Sequence, residues 1–288
     1  MDRLTYSSDS VEVEILPHLG ARLHRLRVFG QDLLRTPDDT GAYAREPFFW
    51  GSFVMAPWGN RIEGGTVRVG SREIRLHPNF SDGTAIHGQV YRLPWEPQPN
   101  GALRVRVDDN GWPWAYEVSQ LIGVADGRLQ LDYALTNRST DPMPAGIGIH
   151  PWFRGPVRVA IHADAVYGRN TDSSPEPEPV HGPFDLRALR EMPDGLDATW
   201  TDLARPPVHL LWSALGVQAT MNVTAPEVFI VAASPRSLEA IAVEPQTHAP
   251  QGLRRLLRHE PGALAMLGPE ESLRMSVELA FERNWLRR

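Results

Sequence analysis

Apolar and polar residues alternate along much of the chain. The alternation is clear in residues 11–15, 66–69, 103–107, 129–133, 157–161 and 273–279. A period of two residues is typical of a β-strand that turns one face to a core and the other to solvent. We therefore predict that each of these stretches is a half-buried strand.

Two further stretches are apolar at every position and indicate more deeply buried strands. They are residues 228–231 and 240–243, and an uninterrupted apolar run of this length is typical of a strand that is covered on both faces. The 24 Gly and 26 Pro residues fall between many of the predicted strands and favour turns. Many short antiparallel strands joined by turns are therefore expected.

Helix is predicted at only two places. Residues 184–191 have a short helical pattern with Asp185 as a candidate N-cap, and residues 253–257 could form a turn or two. Strands and helices do not alternate along the chain, which argues against a Rossmann fold or a TIM barrel. No repeat of fixed length supports a propeller. The predicted fold class is all-β, with a large antiparallel β-sandwich and very little helix.

The chain is expected to form a single domain over residues 1–288. Its length is compatible with one large domain or with two ordinary ones. The Pro- and acid-rich segment 173–179 is a candidate linker, but predicted strands resume on both sides of it and motifs of one apparent site flank it. We therefore interpret this segment as a surface loop within one domain.

The charge balance and the hydropathy pattern argue against two classes of partner. The net charge of −6 and the pI near 5.9 do not suit a nucleic acid, because a phosphate-binding surface needs a basic excess. No stretch approaches the ~18 consecutive apolar residues of a membrane span. Residues 1–10 have no apolar core of the kind that a secretory signal requires, so a cytoplasmic location is expected. The oligomeric state is not readable from the sequence.

Two residue types are absent, and their absence removes several kinds of chemistry. All 29 cationic residues are Arg, and the chain has neither Lys nor Cys. Without Lys there is no Schiff-base lysine and no P-loop lysine. Without Cys there is no disulfide, thiol nucleophile or cysteine-ligated zinc.

Two histidines and one glutamate stand in distinctive local frames. His87 lies in Ala-Ile-His-Gly, His150 in Gly-Ile-His-Pro-Trp-Phe and Glu244 in Val-Glu-Pro-Gln. Each comes where an alternating or apolar run gives way to Gly or Pro, which predicts a side chain at the end of a strand, over a cleft. Two imidazoles and a carboxylate can move a proton near pH 7 without a cofactor. The pattern therefore indicates an acid–base enzyme.

In combination, five local frames resemble those of the aldose 1-epimerase family, also called galactose mutarotase-like proteins. They extend from about Ala56 to Gln251 and are Gly59-Asn60-Arg61-Ile62, Ile86-His87-Gly88, His150-Pro151-Trp152-Phe153, Gly195-Leu196-Asp197-Ala198-Thr199-Trp200 and Val243-Glu244-Pro245-Gln246-Thr247. The Asn-Arg-Ile, His-Pro-aromatic-Phe and Glu-Pro-Gln frames are specific together, although each alone is weak. The fold of that family, a large antiparallel β-sandwich, agrees with the predicted strands.

The resemblance implies an isomerase that interconverts the α and β anomers of a free aldose by opening and closing the sugar ring. It assigns Glu244 as the base at the anomeric hydroxyl and His150 as the acid at the ring oxygen. His87 would lie nearby as a hydrogen-bonding partner and auxiliary acid. Such a reaction needs no metal, nucleotide or covalent intermediate, so no cofactor is expected and the expected partner is a monosaccharide.

Four further residues are candidates for sugar binding. The resemblance assigns Arg61 and Asp197 to the remaining hydroxyls, and Asn60 belongs to the same frame as Arg61. Trp152 offers a flat apolar ring of the kind that covers the C–H face of a hexose. Structural roles stay open for three of the four. Arg61 could form an ion pair with Glu63 or with another strand, Asp197 could be a turn residue, and Trp152 could pack in the core.

Three alternative functions stay open at this point. A hexose-6-phosphate mutarotase would need a basic cradle for the phosphate, which Arg22, Arg25 or Arg154 could supply. A non-catalytic carbohydrate-binding sandwich is the second alternative, although the presence of both the candidate acid and the candidate base argues against it. A metal-dependent enzyme is the third, because Glu244 and His248 form a Glu-x-x-x-His pair, but no tight cluster of ligands accompanies them.

Overall fold

The computed structural model describes residues 3–63, 65–168 and 176–284. The strands in these ranges are β1 Leu4–Ser7, β2 Val11–Leu16, β3 Arg22–Val28, β4 Gln31–Asp32, β5 Ser52–Met55, β6 Arg61–Glu63, β7 Gly65–Val69, β8 Arg72–Leu76, β9 Thr84–Ile86, β10 Glu96–Pro97, β11 Leu103–Val107, β12 Tyr116–Ala125, β13 Arg128–Asn137, β14 Met143–Ala145, β15 Gly148–Arg154, β16 Arg158–Tyr167, β17 Glu178–Pro179, β18 Arg190–Glu191, β19 Asp197–Trp212, β20 Val217–Thr224, β21 Phe229–Ala233, β22 Ala240–Gln246, β23 Ala265–Leu267 and β24 Ser272–Arg283. The α-helices are α1 Ala42–Arg45 and α2 Gly252–Arg258. Every stretch that the sequence predicts as a strand lies in one of these strands or overlaps it.

Eighteen of the strands form one large curled antiparallel sheet. A continuous path of pairings runs in the order β1, β2, β3, β5, β15, β22, β21, β19, β20, β24, β13, β12, β11 and β10. Two-stranded ribbons pair β6 with β9, β7 with β8 and β14 with β23. The predicted fold class, an all-β antiparallel sandwich, is confirmed.

One large cluster of buried apolar side chains runs through the sheet. Its members extend from Val11 to Phe281 and include the fully buried rings of Trp112, Trp200 and Trp212. Alternation in the sequence corresponds to the two sides of the strands, because buried and more exposed positions alternate along strands such as β11 and β20. The single domain over 1–288 stays a prediction.

Strands β15 and β22 lie next to each other in the middle of the pairing path and are buried along almost their whole length. They contain His150 and Glu244, which therefore lie inside strands, and the predicted position of these two side chains at strand ends is wrong. Each strand continues through the proline that follows, Pro151 in β15 and Pro245 in β22. A proline is compatible with a strand where its missing N–H has no ladder partner.

The predicted helix over residues 184–191 is also wrong. A single 3₁₀ turn covers Gly182–Phe184, and Arg190–Glu191 forms β18. The carboxylate of Asp185 does not cap a helix but accepts hydrogen bonds from the Arg187 side chain at 2.9 and 2.7 Å. The next carbonyl, that of Leu186, accepts the N–H of Ile161 in β16. This backbone pairing with β16 replaces the hydrogen bonds that a helix would make. The prediction for 253–257 is confirmed by α2.

Part of the segment 173–179 lies outside the described residues, which resume at Glu176. Its last two residues form β17, which pairs with β16. In the described ranges, neither α-helix has the length and hydropathy that a membrane-crossing helix needs.

Candidate active site

The register of two central strands brings His150 and Glu244 together. On β15 and β22, Gly148 pairs with Gln246 and Trp152 pairs with Ala242. The same register places His150 opposite Glu244, and Nε2 of the imidazole lies 3.1 Å from Oε1 of the carboxyl. Both side chains are buried. Two residues that are far apart in the sequence therefore form one acid–base pair in direct contact.

Burial governs the protonation of this pair. Removal from water disfavours a charge on either group, so it raises the pKa of Glu244 well above its usual range and lowers the pKa of His150 to about 3. The nearby Asp197 raises the pKa of Glu244 further, whereas Arg61 opposes the increase. Between the two pKa values the pair holds one proton, and burial favours its uncharged form, a carboxylic acid beside a neutral imidazole.

His87 is held as a neutral hydrogen-bond donor. It directly follows β9, and its imidazole Nδ1 accepts the backbone N–H of Asn60 at 3.2 Å. The backbone N–H of His87 donates in turn to the carbonyl of Asn60 at 3.0 Å. Because Nδ1 is an acceptor, the ring proton is on Nε2. Burial, together with His150 and Arg61, lowers the pKa of His87 well below its usual range. The ring lies edge-on to that of His150, with a centroid separation of 5.0 Å.

Side chains fix three successive amides of the turn that carries Arg61. The N–H of Gly59 donates to Nε2 of His248 at 2.9 Å, and the N–H of Asn60 donates to His87. The N–H of Arg61 donates to Oδ1 of Asn60 at 3.0 Å. Asn60 has a φ of 57°, in the left-handed region that non-glycine residues rarely adopt. A backbone that is held in this way positions the residues it carries.

Arg61 is oriented by an ion pair that the sequence did not reveal. Its Nε donates to Oδ2 of Asp82 at 2.8 Å, and its Nη1 lies 3.4 Å from Oδ1 of Asn60. The guanidinium also lies over the ring of Phe80, at 5.4 Å from the centroid. The alternative ion pair with Glu63 falls on a side chain outside the described residues. Arg61 still lines the cavity described next, so its pairing with Asp82 and its contact with a ligand are compatible.

All seven residues that the sequence singled out line one cavity of about 160 Å³. The described residues that line it are Phe48, Phe49, Asn60, Arg61, Phe80, Ile86, His87, His150, Trp152, Asp197, Val231, Ala233, Pro235 and Glu244. Polar groups that can exchange protons or hydrogen bonds face aromatic and aliphatic side chains across this space. This composition suits a small ligand with many hydroxyl groups and an apolar face.

Comparison with known proteins gives the family. The family model described as Aldose 1-epimerase matches residues 2–246, which include every residue of the candidate site. The chain belongs to the aldose 1-epimerase family. The uncharacterized protein YphB of Escherichia coli (strain K12) is 25% identical over 252 residues, which cover 81% of this chain and 84% of YphB.

Solved structures of aldose 1-epimerase homologues have the same fold. The GalM/aldose epimerase homologue from C. elegans is 16% identical with a TM-score of 0.82, and the alignment covers 98% of each chain. The galactose 1-epimerase from Lactobacillus acidophilus NCFM is 18% identical with a TM-score of 0.77, covering 98% of this chain and 94% of the other. A galactose mutarotase-like protein from Clostridium acetobutylicum is 18% identical with a TM-score of 0.81, over 97% and 94%.

In this member of the aldose 1-epimerase family, the aromatic side of the cavity belongs to an anchored segment, residues 47–50. Its four consecutive carbonyls all accept side-chain hydrogen bonds. Arg22 donates to the first and the fourth, Trp152 to the second at 2.6 Å, and Arg35 to the third. The two phenylalanines of this segment are therefore held in place by three separate side chains. In the sequence, the aromatic run Phe-Phe-Trp at 48–50 is the feature that could have indicated this segment as part of the site.

Among the tryptophans that the structure describes, Trp152 is the one that lines the cavity. Its ring lies 5.0 Å from that of His150 and 5.8 Å from that of Phe49. Trp58 and Phe153 are close to the candidate residues in the sequence, but they pack in the core against Trp112 and Trp212, respectively.

The three arginines considered for a phosphate cradle do not line the cavity. Arg22 is buried, and its guanidinium lies over the Phe53 ring at 4.8 Å, on which His150 in turn stacks at 4.7 Å. Arg25 and Arg154 line a different groove, which Arg35 also lines. Arg22 therefore contacts the site through an aromatic ring, and none of the three offers a charge to a ligand in the cavity.

His248 serves the site as a hydrogen-bonding residue. Its Nε2 accepts the N–H of Gly59, and its Nδ1 lies 2.7 Å from the carbonyl of Ala249, to which it donates. Both nitrogens of the ring are thus engaged with the backbone. Among the residues that the structure describes, no group of three or more His, Asp or Glu side chains is arranged to hold a metal ion.

Proposed function

We propose that the protein is an aldose 1-epimerase that interconverts the α and β anomers of a free aldose by acid–base catalysis without a cofactor. The observation that supports this proposal above all is the direct contact between His150 and Glu244 inside a cavity lined by hydroxyl-binding groups. A base and an acid are the two groups that this reaction needs.

The spacing of the pair suits the chemistry of a hemiacetal. The anomeric hydroxyl and the ring oxygen are attached to the same carbon, so an acid and a base that lie 3.1 Å apart can each reach one of these oxygens. Glu244 takes the proton of the anomeric hydroxyl, and His150 gives a proton to the ring oxygen as the bond between that oxygen and C1 breaks. Rotation about the C1–C2 bond of the open-chain aldehyde turns its other face to the hydroxyl, and the reverse transfers close the ring.

The proton count of the pair is the same throughout the cycle. The cyclic sugar reacts with a carboxylate and an imidazolium, and the open-chain aldehyde is flanked by a carboxylic acid and a neutral imidazole. Burial favours this second form of the pair. The buried site therefore stabilises the protonation state that accompanies the open-chain intermediate, and Arg61 assists the other state by lowering the pKa of Glu244.

The other residues of the cavity have roles that follow from their hydrogen-bonding capacity. His87 carries its proton on Nε2 and donates to a sugar oxygen without changing its own charge. Arg61 and Asn60 supply donors from a fixed turn, and Asp197 supplies an acceptor. Trp152 covers the apolar face of the sugar ring.

Polarimetry on freshly dissolved, anomerically pure sugars tests the proposal. The panel contains α-D-glucose, α-D-galactose, α-D-xylose and glucose 6-phosphate, with the spontaneous rate subtracted and with Glu244→Gln as the inactive control. Acceleration of a free aldose that survives dialysis against a chelator is the expected result. Acceleration of glucose 6-phosphate alone would indicate a sugar-phosphate mutarotase. Sugar binding without any acceleration would indicate a non-catalytic sandwich.

A further inference from the structure

A buried arginine lies close to the catalytic pair but outside the cavity. Arg22 is the first residue of β3 and is only 1% exposed. Its Nη1 and Nη2 donate to the carbonyls of Trp50 and Pro47 at 2.7 and 2.9 Å, so both acceptors are neutral. In the described ranges, no carboxylate forms an ion pair with it. Burial lowers the pKa of Arg22 to about 10, and the side chain therefore keeps its positive charge at neutral pH.

One aromatic ring connects this charge to His150. The guanidinium carbon of Arg22 lies 4.8 Å from the centroid of the Phe53 ring. The same ring stacks on the imidazole of His150 with a centroid separation of 4.7 Å and an interplanar angle of 22°. Phe53 and His150 are also register partners on β5 and β15, which holds the two rings together. The charge and the imidazole therefore contact the same ring.

The surroundings of this contact let the charge act on the imidazole. Phe53 is buried, so protein rather than solvent lies between Arg22 and His150. The two separations place the guanidinium within roughly 10 Å of the imidazole, and at that range a charge in a protein interior changes a pKa by about one unit. A nearby positive charge disfavours the imidazolium, and Arg22 accordingly adds to the effect of burial in lowering the pKa of His150.

Several elements bring charged or titratable groups to the surroundings of His150. Those that line the cavity with it, or contact the ring on which it stacks, are Arg22, Arg61, His87, Asp197 and Glu244. Arg61 acts on the pKa values of Glu244 and His87, and Asp197 acts on that of Glu244. Among the described residues, Arg22 is the arginine whose charge acts on His150. Each member of the acid–base pair is thus influenced by a different arginine.

We propose that Arg22 is a positioning residue of the epimerase, whose buried charge acts across the Phe53 ring and makes the imidazolium of His150 a stronger acid toward the ring oxygen of the sugar. The proposal rests on the proposed function, because the acid strength of His150 matters only if His150 donates a proton. That proton moves from the imidazolium to the ring oxygen as the bond between this oxygen and C1 breaks, and it leaves a neutral imidazole, which a nearby positive charge favours. Arg22 does not line the cavity, so it acts without contact with the sugar.

A second role of Arg22, the anchoring of segment 47–50, calls for a matched control. Arg35 anchors the same segment, because it donates to the carbonyl of Phe49 and its guanidinium lies 3.3 Å from the centroid of the Trp50 ring. Its charge does not act on the pKa of His150. Arg35→Gln therefore removes an anchor of the segment and leaves the charge beside Phe53 in place.

The test measures the pKa of His150 by NMR of its ring nitrogens and the pH profile of kcat/KM by polarimetry. The proteins are the wild type, Arg22→Gln, Arg22→Lys and Arg35→Gln. Gln keeps a donor and removes the charge, whereas Lys keeps the charge and loses the planar fork. NMR separates His150 from the buried His24, whose pKa is lowered to about 4, and the loss of signals in His150→Asn gives the assignment. Arg22→Met is a second neutral variant in case Arg22→Gln does not fold.

We expect the neutral variants of Arg22 to raise the pKa of His150, and with it the acidic limb of kcat/KM, by about one pH unit. Arg22→Lys and Arg35→Gln should leave both unchanged, and the lost anchor should appear as an increase in KM. An unchanged pKa of His150 in the neutral variants, or an equal rise in Arg35→Gln, would overturn the proposal and leave the proposed function intact. Failure of the wild type to accelerate any sugar would overturn both.

Discussion

His150 and Glu244 lie opposite each other on neighbouring antiparallel strands, in a place where those strands do not form ladder pairs. Residues on either side of them, Gly148 with Gln246 and Trp152 with Ala242, are paired. His150 itself pairs through its backbone with Phe53 of β5, and Glu244 with Val231 of β21. Each member of the acid–base pair is thus held by a different outer strand. Groups on such strands are positioned more precisely than groups on loops.

The first prediction concerns the two members of this pair. Glu244→Gln and His150→Asn keep the shape of each side chain but remove its proton transfer, and each should lower kcat by about 10²–10⁴. The double variant should lose little more than either single variant, because residues that act as a unit are not additive. Polarimetric rates at saturating sugar provide the measurement. A loss below about threefold in either single variant would argue against its role.

The second prediction is the pH dependence of kcat/KM, which reports the free enzyme. The reactive pair holds one proton, and it gains a second one only below the pKa of His150, which burial lowers to about 3. It loses its last proton above the raised pKa of Glu244. The profile should therefore be bell-shaped, with an acidic limb clearly below the ordinary histidine value of about 6.5. An acidic limb between pH 6 and 7 would contradict this assignment.

The strands could be predicted from the sequence because the alternation that indicates each one lies within the strand itself. Alternation with a period of two follows from which side of a strand faces the core, and it identified segments such as 103–107 and 129–133. The helix over 184–191 was predicted wrongly because its backbone is paired with another strand. Local propensity carries no information about such distant partners.

The candidate site likewise contains residues that could be identified from the sequence and residues that could not. Its proton-transfer groups lie in frames specific enough to recognise, and the residues so identified line one cavity. Asp82 was not recognised as part of the site, and His248 was considered only as a metal ligand, because the roles of both depend on distant contacts. His248 binds an amide 189 positions away, and nothing near it in the sequence indicates this. The placement of Glu244 inside a strand was missed because Pro245 resembles a strand end.

The third prediction concerns stability. The pKa of Glu244 is raised in the folded protein above its unfolded value of 4.5, so the folded state holds this proton more tightly than the unfolded one. The resulting contribution to stability is complete below pH 4.5 and is lost as the pH rises through the folded pKa. Gln cannot ionise. The Tm of Glu244→Gln should therefore exceed that of the wild type by a margin that grows from pH 5 to pH 9.

Thermal unfolding of both proteins across this range measures the margin. Glu96→Gln is the matched control, since Glu96 is exposed on β10, and its Tm difference from the wild type should not vary with pH. A difference for Glu244→Gln that is the same at every pH would show that the carboxyl is not held in its neutral form by burial.

The last prediction concerns His248, which holds the turn of residues 59–61 and takes no part in the proton transfers. His248→Ala leaves the buried N–H of Gly59 without an acceptor, which costs on the order of 1–3 kcal/mol. Because Gly59 precedes Asn60 and Arg61, the main kinetic effect should be an increase in KM of about tenfold with a smaller decrease in kcat. The pH profile should be unchanged, since His150 and Glu244 determine it. His248→Gln restores an acceptor oxygen, so its KM should lie between those of His248→Ala and the wild type. A simple packing defect would not be corrected in this way. A shifted pH profile in His248→Ala would mean that His248 takes part in the proton transfers themselves.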